Sequence, residues 1–478
     1  MIDGWEAALL FLVGAAVQVV LAGMVLLRPP HRQSSALAWI LVILVLPMVG
    51  ALAFLLFGDV RLGTKRRRRH RRIADVVRRS VAQHWAKTRP AEIPERLRPV
   101  AGLAGQVADT DPHGGNHVEL IADTERLIEA LVEDIGAARE HCHLLYYIFL
   151  DDESGERVGR ALLAAAARRV TCRLLVDAVG SSRFLDSKLR ADLERGGVVV
   201  REALPTRIRF NGSRVDLRNH RKIAVFDGRI GYTGSHNIAA ASFAHKPRFA
   251  PWVDATVRVD GPTVRDLQEL FVEDWYMDTD DSLEDLLAIH PTEHQTGIAL
   301  QVLGTGPSSH NDALIQLIQA GCHLAREELI LTTPYFVPDE GTVDALATAA
   351  LRGVRTSLVV PHRNDSLLVG AASRSYYEPL LEAGVQIFEY TEGLLHAKTI
   401  TVDRSAGLVT TANLDRRSFE INFEVSLMIY DTDFASQVRF LQRSYIEDSI
   451  AVDPAAWERR GWVRRIAQNA AGMLSPIL

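Results

Sequence analysis

The stretch RNHRKIAVFDGRIGYTGSHN (218–237) and its counterpart LLHAKTITVDRSAGLVTTAN (394–413) decide how this chain is read. Each holds a histidine, a lysine two residues on and an aspartate five beyond that. The sets are His220, Lys222 and Asp227, then His396, Lys398 and Asp403. Of 16 histidines, only these two have lysine at that position. Seventeen residues after each histidine comes an asparagine (Asn237, Asn413), and two before it a hydroxyl side chain (Ser235, Thr411). A doubled set of imidazole, ammonium and carboxamide suits phosphodiester chemistry. One imidazole attacks phosphorus and the other protonates the leaving oxygen, while lysine and asparagine donors hold the phosphoryl oxygens.

Working outward, the text before each motif is duplicated. The first copy predicts strands at His117–Ile121, His143–Leu150 and Thr171–Asp177, with helices to about Glu140 and over Gly155–Arg168. In the second copy the strands fall at Ala299–Leu303, Glu328–Thr333 and Arg355–Pro361, with helices from about Asn311 and after Glu340. YYIFLDDESG (146–155) rhymes with TPYFVPDEG (333–341), and ARRVTCRLLVD (167–177) with LRGVRTSLVVP (351–361). Alternating strand and helix predicts an α/β fold with a central sheet and outer helices. Each half supplies one histidine, so the site is expected at their seam. His and Lys two apart on a strand share a face; Asp227 and Asp403, an odd number of residues on, take the other. The aspartates belong to the catalytic motif, yet ordering the turn is the stronger reading for them.

These segments resemble the phospholipase D superfamily, matching its repeated H-x-K-x4-D element at every defined position. The wider text is similar to the bacterial cardiolipin synthase family in RNHRKI (218–223), PWVD (251–254), NLDRRSF (413–419), INFEVSLMIYD (421–431) and SPIL (475–478). The resemblance implies a duplicated phospholipase D-type fold of two mixed-sheet halves, with the active site at their interface. It implies transfer of a phosphatidyl group between two phosphatidylglycerols, giving cardiolipin through a phosphatidyl-histidine. It also implies a downstream carboxylate orienting each histidine, Asp254 for His220 and Glu424 for His396. His220 as nucleophile follows family habit. Asn237, Asn413, Ser235 and Thr411 are the expected phosphate-binding residues. Thr410-Thr411 departs from the usual Gly-Ser, which the first repeat keeps at Gly234-Ser235.

Net charge is −5 over 478 residues, so no global basic field points to nucleic acid. Three scattered cysteines (Cys142, Cys172, Cys322) argue against a disulfide framework. No acidic cluster of the metal-ligand type is evident; neither metal nor other cofactor is expected. His141-Cys142-His143 alternates across a strand and reads as structural.

Ala7 to Leu27 and Ser34 to Phe57 are apolar stretches long enough to cross a bilayer, which needs about 20 residues. They predict an N-terminal transmembrane hairpin turning at Arg28–Arg32. A signal peptide is the rival for the first, but it lacks a basic start and a second apolar span follows at once. Pro47 leaves open a kinked or re-entrant second helix. KRRRRHRR (65–72) follows, and the positive-inside rule then places the rest of the chain in the cytoplasm. The run is a topology signal, with contact to anionic lipid as a second possible role. Four segments result: the hairpin (1–60), a polybasic cytoplasmic connector (61–115), helical at first and loop-like from Thr88, then repeats over 116–295 and 296–478. At the C-terminus Trp457, Trp462 and four arginines suit either an interfacial helix or a plain packing helix. Expected partners are phosphatidylglycerol, cardiolipin and an anionic membrane surface; self-association stays open. Competing functions are a hydrolytic phospholipase D, a superfamily nuclease and a non-enzymatic membrane scaffold.

Overall fold

The computed structural model describes residues 4–27, 33–57, 64–84, 91–205, 216–243, 246–307 and 312–473. Two compact units form: Met1–Arg66 with Ile208–Asp216, and Arg67–Arg207 with Leu217–Leu478. The predicted turn at 28–32 and the SPIL segment lie outside the described residues.

In the first unit, α1 runs Gly4–Leu26, α2 Gln33–Val45 and α3 Pro47–Phe57. Leu21, Val25, Ile43 and Phe54 form its small core. Pro47 has no N–H, so the Ile43 carbonyl four residues back loses its helical donor. Gln18, the one polar side chain of the first apolar stretch, donates its Nε2 to that carbonyl at 3.1 Å. A Cβ on Gly50 would meet the Val42 carbonyl oxygen at 2.4 Å. In a straight helix, residues eight apart are about 12 Å distant, so the chain bends sharply between α2 and α3. With 13 and 11 residues, these helices are about 20 and 17 Å long, short of a hydrocarbon core of about 30 Å. The expectation that Ser34–Phe57 crosses as one span is therefore corrected to two short helices. Among the described residues no helix is long and apolar enough to cross a membrane; α1 has 23 residues, and the side chains of 7–11 lie outside the described set.

The second unit is built on strands β1 (His113–Ile121), β2 (His141–Tyr146), β3 (Thr171–Asp177), β4 (Val199–Ala203), β5 (Ile223–Phe226), β6 (Ile230–Gly234) and β7 (Thr256–Asp260). The second half repeats them as β8 (Ile298–Thr305), β9 (Glu328–Thr332), β10 (Arg355–Pro361), β11 (Gln386–Tyr390), β12 (Thr399–Val402), β13 (Ala406–Thr410) and β14 (Glu424–Ile429), with an added edge strand, β15 (Ser449–Ala451). All lie in one sheet, ordered β1-β7-β6-β5-β2-β3-β4 in the first half and β8-β14-β13-β12-β9-β10-β11-β15 in the second. The order is the same in both halves, and antiparallel β1 and β8 join them.

Helices Val264–Thr279 and Thr432–Glu447 follow β7 and β14 and bury Phe271 and Phe434 in a core that both halves share, with Val257 and Val302. Outer helices such as Thr124–Ala137 and Ala313–Leu324 cover separate cores. The polybasic run lies in a helix, α4 (Thr64–His84), whose Ile73 and Val77 enter the shared core. The expected loop-like connector is likewise corrected. Arg98–Ala108 is a helix burying Val100 and Ala104, because its apolar residues recur at helical spacing.

Candidate active site

His220 and His396 precede β5 and β12 in extended backbone rather than lying in the sheet ladder. Each extended segment pairs with the other half. His220 N–H donates to the Phe423 carbonyl at 2.9 Å, and Phe423 N–H to Arg218 at 2.9 Å. Leu394–Leu395 runs parallel to Trp252–Val253, and His396 N–H donates to the Val253 carbonyl at 2.7 Å. The next residue after each of these partners is a carboxylate. His220 Nδ1 therefore meets Glu424 Oε2 at 2.9 Å, and His396 Nδ1 meets Asp254 Oδ1 at 2.6 Å. This corrects the expected assignment: each histidine is served by the carboxylate of the opposite half, because cross-half β-pairing sets which loop lies alongside.

With Nδ1 occupied, Nε2 of each ring is left for chemistry. Lys222 and Lys398 donate their Nζ to the His220 and His396 carbonyls at 2.7 and 2.6 Å. All four side chains are buried. Burial pushes both imidazoles down to about 4, outweighing the carboxylates. It also pushes Lys222 down to about 7 and Lys398 to about 8. Asp254 and Glu424 are held low: burial opposes this, and the charge of the facing histidine overrides it. Each histidine also feels the lysine of the other half, so the two motifs converge on one site. Tyr147 lies edge-on to His220 at 4.7 Å, and Trp252 tilts against His396 at 4.7 Å.

The other expected residues divide. Ser235 and Thr411 are fully buried, and their hydroxyls are bonded within the protein. Ser235 Oγ accepts the Ala255 N–H at 3.0 Å; Thr411 Oγ1 accepts the Val425 N–H at 2.9 Å and donates to Glu424 at 2.5 Å. The expectation that they bind phosphate is corrected: they hold the segments bearing the orienting carboxylates. Asn237 accepts the Ile148 N–H on Oδ1 at 3.0 Å, which leaves its Nδ2 for a ligand. Asn413 donates Nδ2 to Asp415 at 3.1 Å. Asp227 accepts the N–H groups of Arg139, Glu140 and His141, each at 2.8 Å. Asp403 does the same for Arg326, Glu327 and Glu328 and pairs with Arg96. Both aspartates tie turns, at the ends of β5 and β12 away from the histidines.

At Gly234 a Cβ would sit 2.4 Å from the Ala255 carbonyl oxygen and 2.5 Å from the Thr256 Cα, both backbone atoms, so the first half needs glycine there. Thr410 at the matching place faces Ser426 and meets its hydroxyl at 2.7 Å.

A family model described as "Cardiolipin synthase, PLD-like domain" matches residues 131–275 and 314–441, more than half of the chain. Cardiolipin synthase A of Serratia proteamaculans (strain 568) is 36% identical over 451 residues, 93% of each chain. The chain belongs to the phospholipase D-like cardiolipin synthase family. Its relative from Edwardsiella ictaluri (strain 93-146), also called cardiolipin synthase A, is 35% identical over 461 residues, again 93% of each. A "Phospholipase_D-nuclease N-terminal" model matches residues 11–58. Among solved structures, phosphatidylserine synthase of Haemophilus influenzae Rd KW20 has a TM-score of 0.56 at 16% identity, covering 80% of this chain and 100% of that one; it shares the fold.

Sequence reading missed Arg221, which sits inside the first motif. Its Nη1 pairs with Asp274 at 2.9 Å, and its Nε donates to the Glu424 carbonyl at 3.1 Å. Asn219 donates to the same Asp274 at 2.9 Å. Asp274 thus holds Asn219 and Arg221 within the first half, and Arg221 ties the His220 segment to the second half at Glu424. An arginine between two motif residues, where the second motif has Ala397, was the available signal.

Proposed function

We propose that this family member transfers the phosphatidyl group of one phosphatidylglycerol to a hydroxyl of a second, giving cardiolipin and glycerol. The observation that carries the reading is the pair of buried imidazoles, each with Nδ1 on a carboxylate and a lysine alongside. His220, neutral at physiological pH, attacks phosphorus through Nε2. The P–N bond forms, the P–O bond to glycerol breaks, and His396 Nε2–H delivers the proton to the glycerol oxygen. The phosphodiester's own negative charge favours the protonated form of His396 that this step needs. In the second step the hydroxyl of another phosphatidylglycerol gives its proton to His396 and attacks phosphorus, and the P–N bond breaks. Lys222, Lys398 and the Asn237 amide supply positive charge and donors to the phosphoryl oxygens, and no metal is required of this scheme.

Membrane association belongs to the same proposal. The apolar first unit is read as the membrane anchor. Arginines on the exposed side of α4 (Arg68, Arg71, Arg72) support a cytoplasmic catalytic unit near anionic lipid. The C-terminal helix Trp462–Met473 leaves Trp462, Val463, Ile466 and Met473 exposed, which favours the interfacial reading over plain packing.

The test is to incubate the purified protein with phosphatidylglycerol in detergent micelles and weigh the lipid products. Cardiolipin is the expected product; phosphatidic acid alone would make the protein a hydrolase instead.

A further inference from the structure

The two sides of the cleft differ in a way the shared strand order makes legible. Phe149 bridges Ile238 in the first half, and Phe336 pairs with Leu414 in the second. Ile148, Asn237 and Ala239 are thus the counterparts of Tyr335, Asn413 and Asp415. Ser181, four residues past β3, corresponds by count to Asp365, four past β10. By hydrogen bonding it is Asn364 that takes the part of Ser181, since Ser181 Oγ donates to the Tyr147 carbonyl and Asn364 to the matching Pro334 carbonyl, with Asp365 next to it. Where the first half has isoleucine and alanine, the second has a phenol and a carboxylate, with Asp365 as a further carboxylate beside them.

These groups are connected. Tyr335 OH donates to Asp365 at 2.7 Å, and Lys246 of the first half pairs with the other oxygen at 2.6 Å. Asp415 and Asp365 both favour the charged form of Lys398, behind burial, Asp254 and Glu424. The asparagines end up reversed. Asn237 gives its oxygen to the Ile148 N–H, whereas Asn413 gives one amide N–H to Asp415 and leaves Oδ1 buried without a partner. Asn413 is only 6% exposed, and a buried acceptor without a donor is costly. An unpartnered carbonyl oxygen beside two carboxylates and a phenol suits the hydroxyl groups of a polyol.

We propose that Tyr335, Asp365, Asn413 and Asp415 form a polyol subsite that holds the glycerol headgroup on the second-half side of the cleft. The proposal rests on the phosphatidyl-transfer reading. The departing glycerol and the attacking glycerol would use the subsite in turn, because both lie in line with and opposite to the nucleophile. His396 of the same half would then exchange the proton, and His220 would carry the phosphatidyl group.

The experiment uses the full chain in mixed micelles with two donors, phosphatidylglycerol and a phosphatidyl ester of nitrophenol, whose leaving group needs neither a proton nor hydroxyl contacts. For Tyr335→Phe and for Asp365→Asn, the ratio of the cardiolipin rate to the rate of the first-turnover nitrophenolate burst should fall at least about tenfold, as for a lost hydrogen bond to a charged group. His396→Ala should keep a first-turnover burst of nitrophenolate, and His220→Ala should lose it. An unchanged ratio, or an equal fall in both activities, would overturn the subsite; a reversed burst pattern would put the alcohol on the other side. If the unaltered protein makes no cardiolipin, the function reading itself fails. Cardiolipin from that protein with unchanged variants sinks the subsite alone.

Discussion

His220 Nδ1 lies 2.9 Å from Glu424 Oε2, 204 residues further along the chain. The mirror relation holds between His396 and Asp254, 142 residues earlier and 2.6 Å away. Neither half holds a complete histidine–carboxylate pair, so neither half alone can orient its own imidazole. The same segments supply the cross-half backbone bonds, which couples assembly of the site to packing of the two halves.

Glu424→Gln should impair His220, and Asp254→Asn should impair His396, each slowing cardiolipin formation by about a hundredfold or more, toward the roughly 10⁴-fold loss that follows when the carboxylate orienting a catalytic histidine is neutralised. A donor with an activated leaving group tells them apart. Asp254→Asn should retain its first-turnover burst, while Glu424→Gln should lose it. The opposite pattern would mean that the carboxylates act within their own halves.

Burial brings Lys222 down to about 7 and Lys398 to about 8, so in the free enzyme both lose charge as pH rises through that range. Since the phosphoryl group needs these cations, kcat/KM should decline above about pH 7–8. Stability runs the other way. Both lysines titrate below 10.5, their ordinary value, so the folded state binds fewer protons than the unfolded chain; their contribution is whole above 10.5 and is lost as pH falls through 8 and 7. The histidines act in the same sense between 6.5 and about 4. The thermal midpoint should therefore drop from about pH 9 to about pH 5 while kcat/KM rises from about pH 9 to about pH 7. A midpoint that climbs on acidification would contradict the assignment.

Asp227→Ala and Asp403→Ala should behave as stability variants. Each strands three backbone donors, at a cost of about 1–3 kcal/mol in denaturant unfolding. Turnover per folded molecule should stay within about twofold, as expected away from the reacting atoms. A loss comparable to that of His220→Ala, which should remove nearly all turnover, would return the aspartates to the chemistry.

Chelation by EDTA should leave turnover unchanged, because lysine and asparagine donors stand where other phosphoryl-transfer sites use a cation. Loss of activity that a single divalent ion restores would refute this.

Removing residues 1–60 should leave the second unit folded, since its cores draw on residues 73 and beyond. Turnover on bilayers should fall with loss of the anchor. Binding to anionic vesicles should persist through the α4 arginines and the C-terminal helix and weaken as salt is raised. Salt-insensitive co-sedimentation would remove the electrostatic role, and aggregation of the shortened protein would make the first unit part of the catalytic fold.

The sequence by itself determined the duplication, the strand and helix order of each half, and the motif residues His220, Lys222, His396 and Lys398. Those readings rest on periodicity and spacing, which are local and survive in one dimension. Only the tertiary structure decided which carboxylate serves which histidine, because that depends on β-pairing between segments 142 and 204 residues apart. It also turned Ser235 and Thr411 from presumed ligands into supports, since a hydroxyl two residues before an asparagine can face the cleft or the neighbouring strand with the same text. The bend at Pro47 and its capping by Gln18 were out of reach for the same reason: composition marks a segment as apolar, but a carbonyl without a donor finds its partner only when a second helix is packed against it.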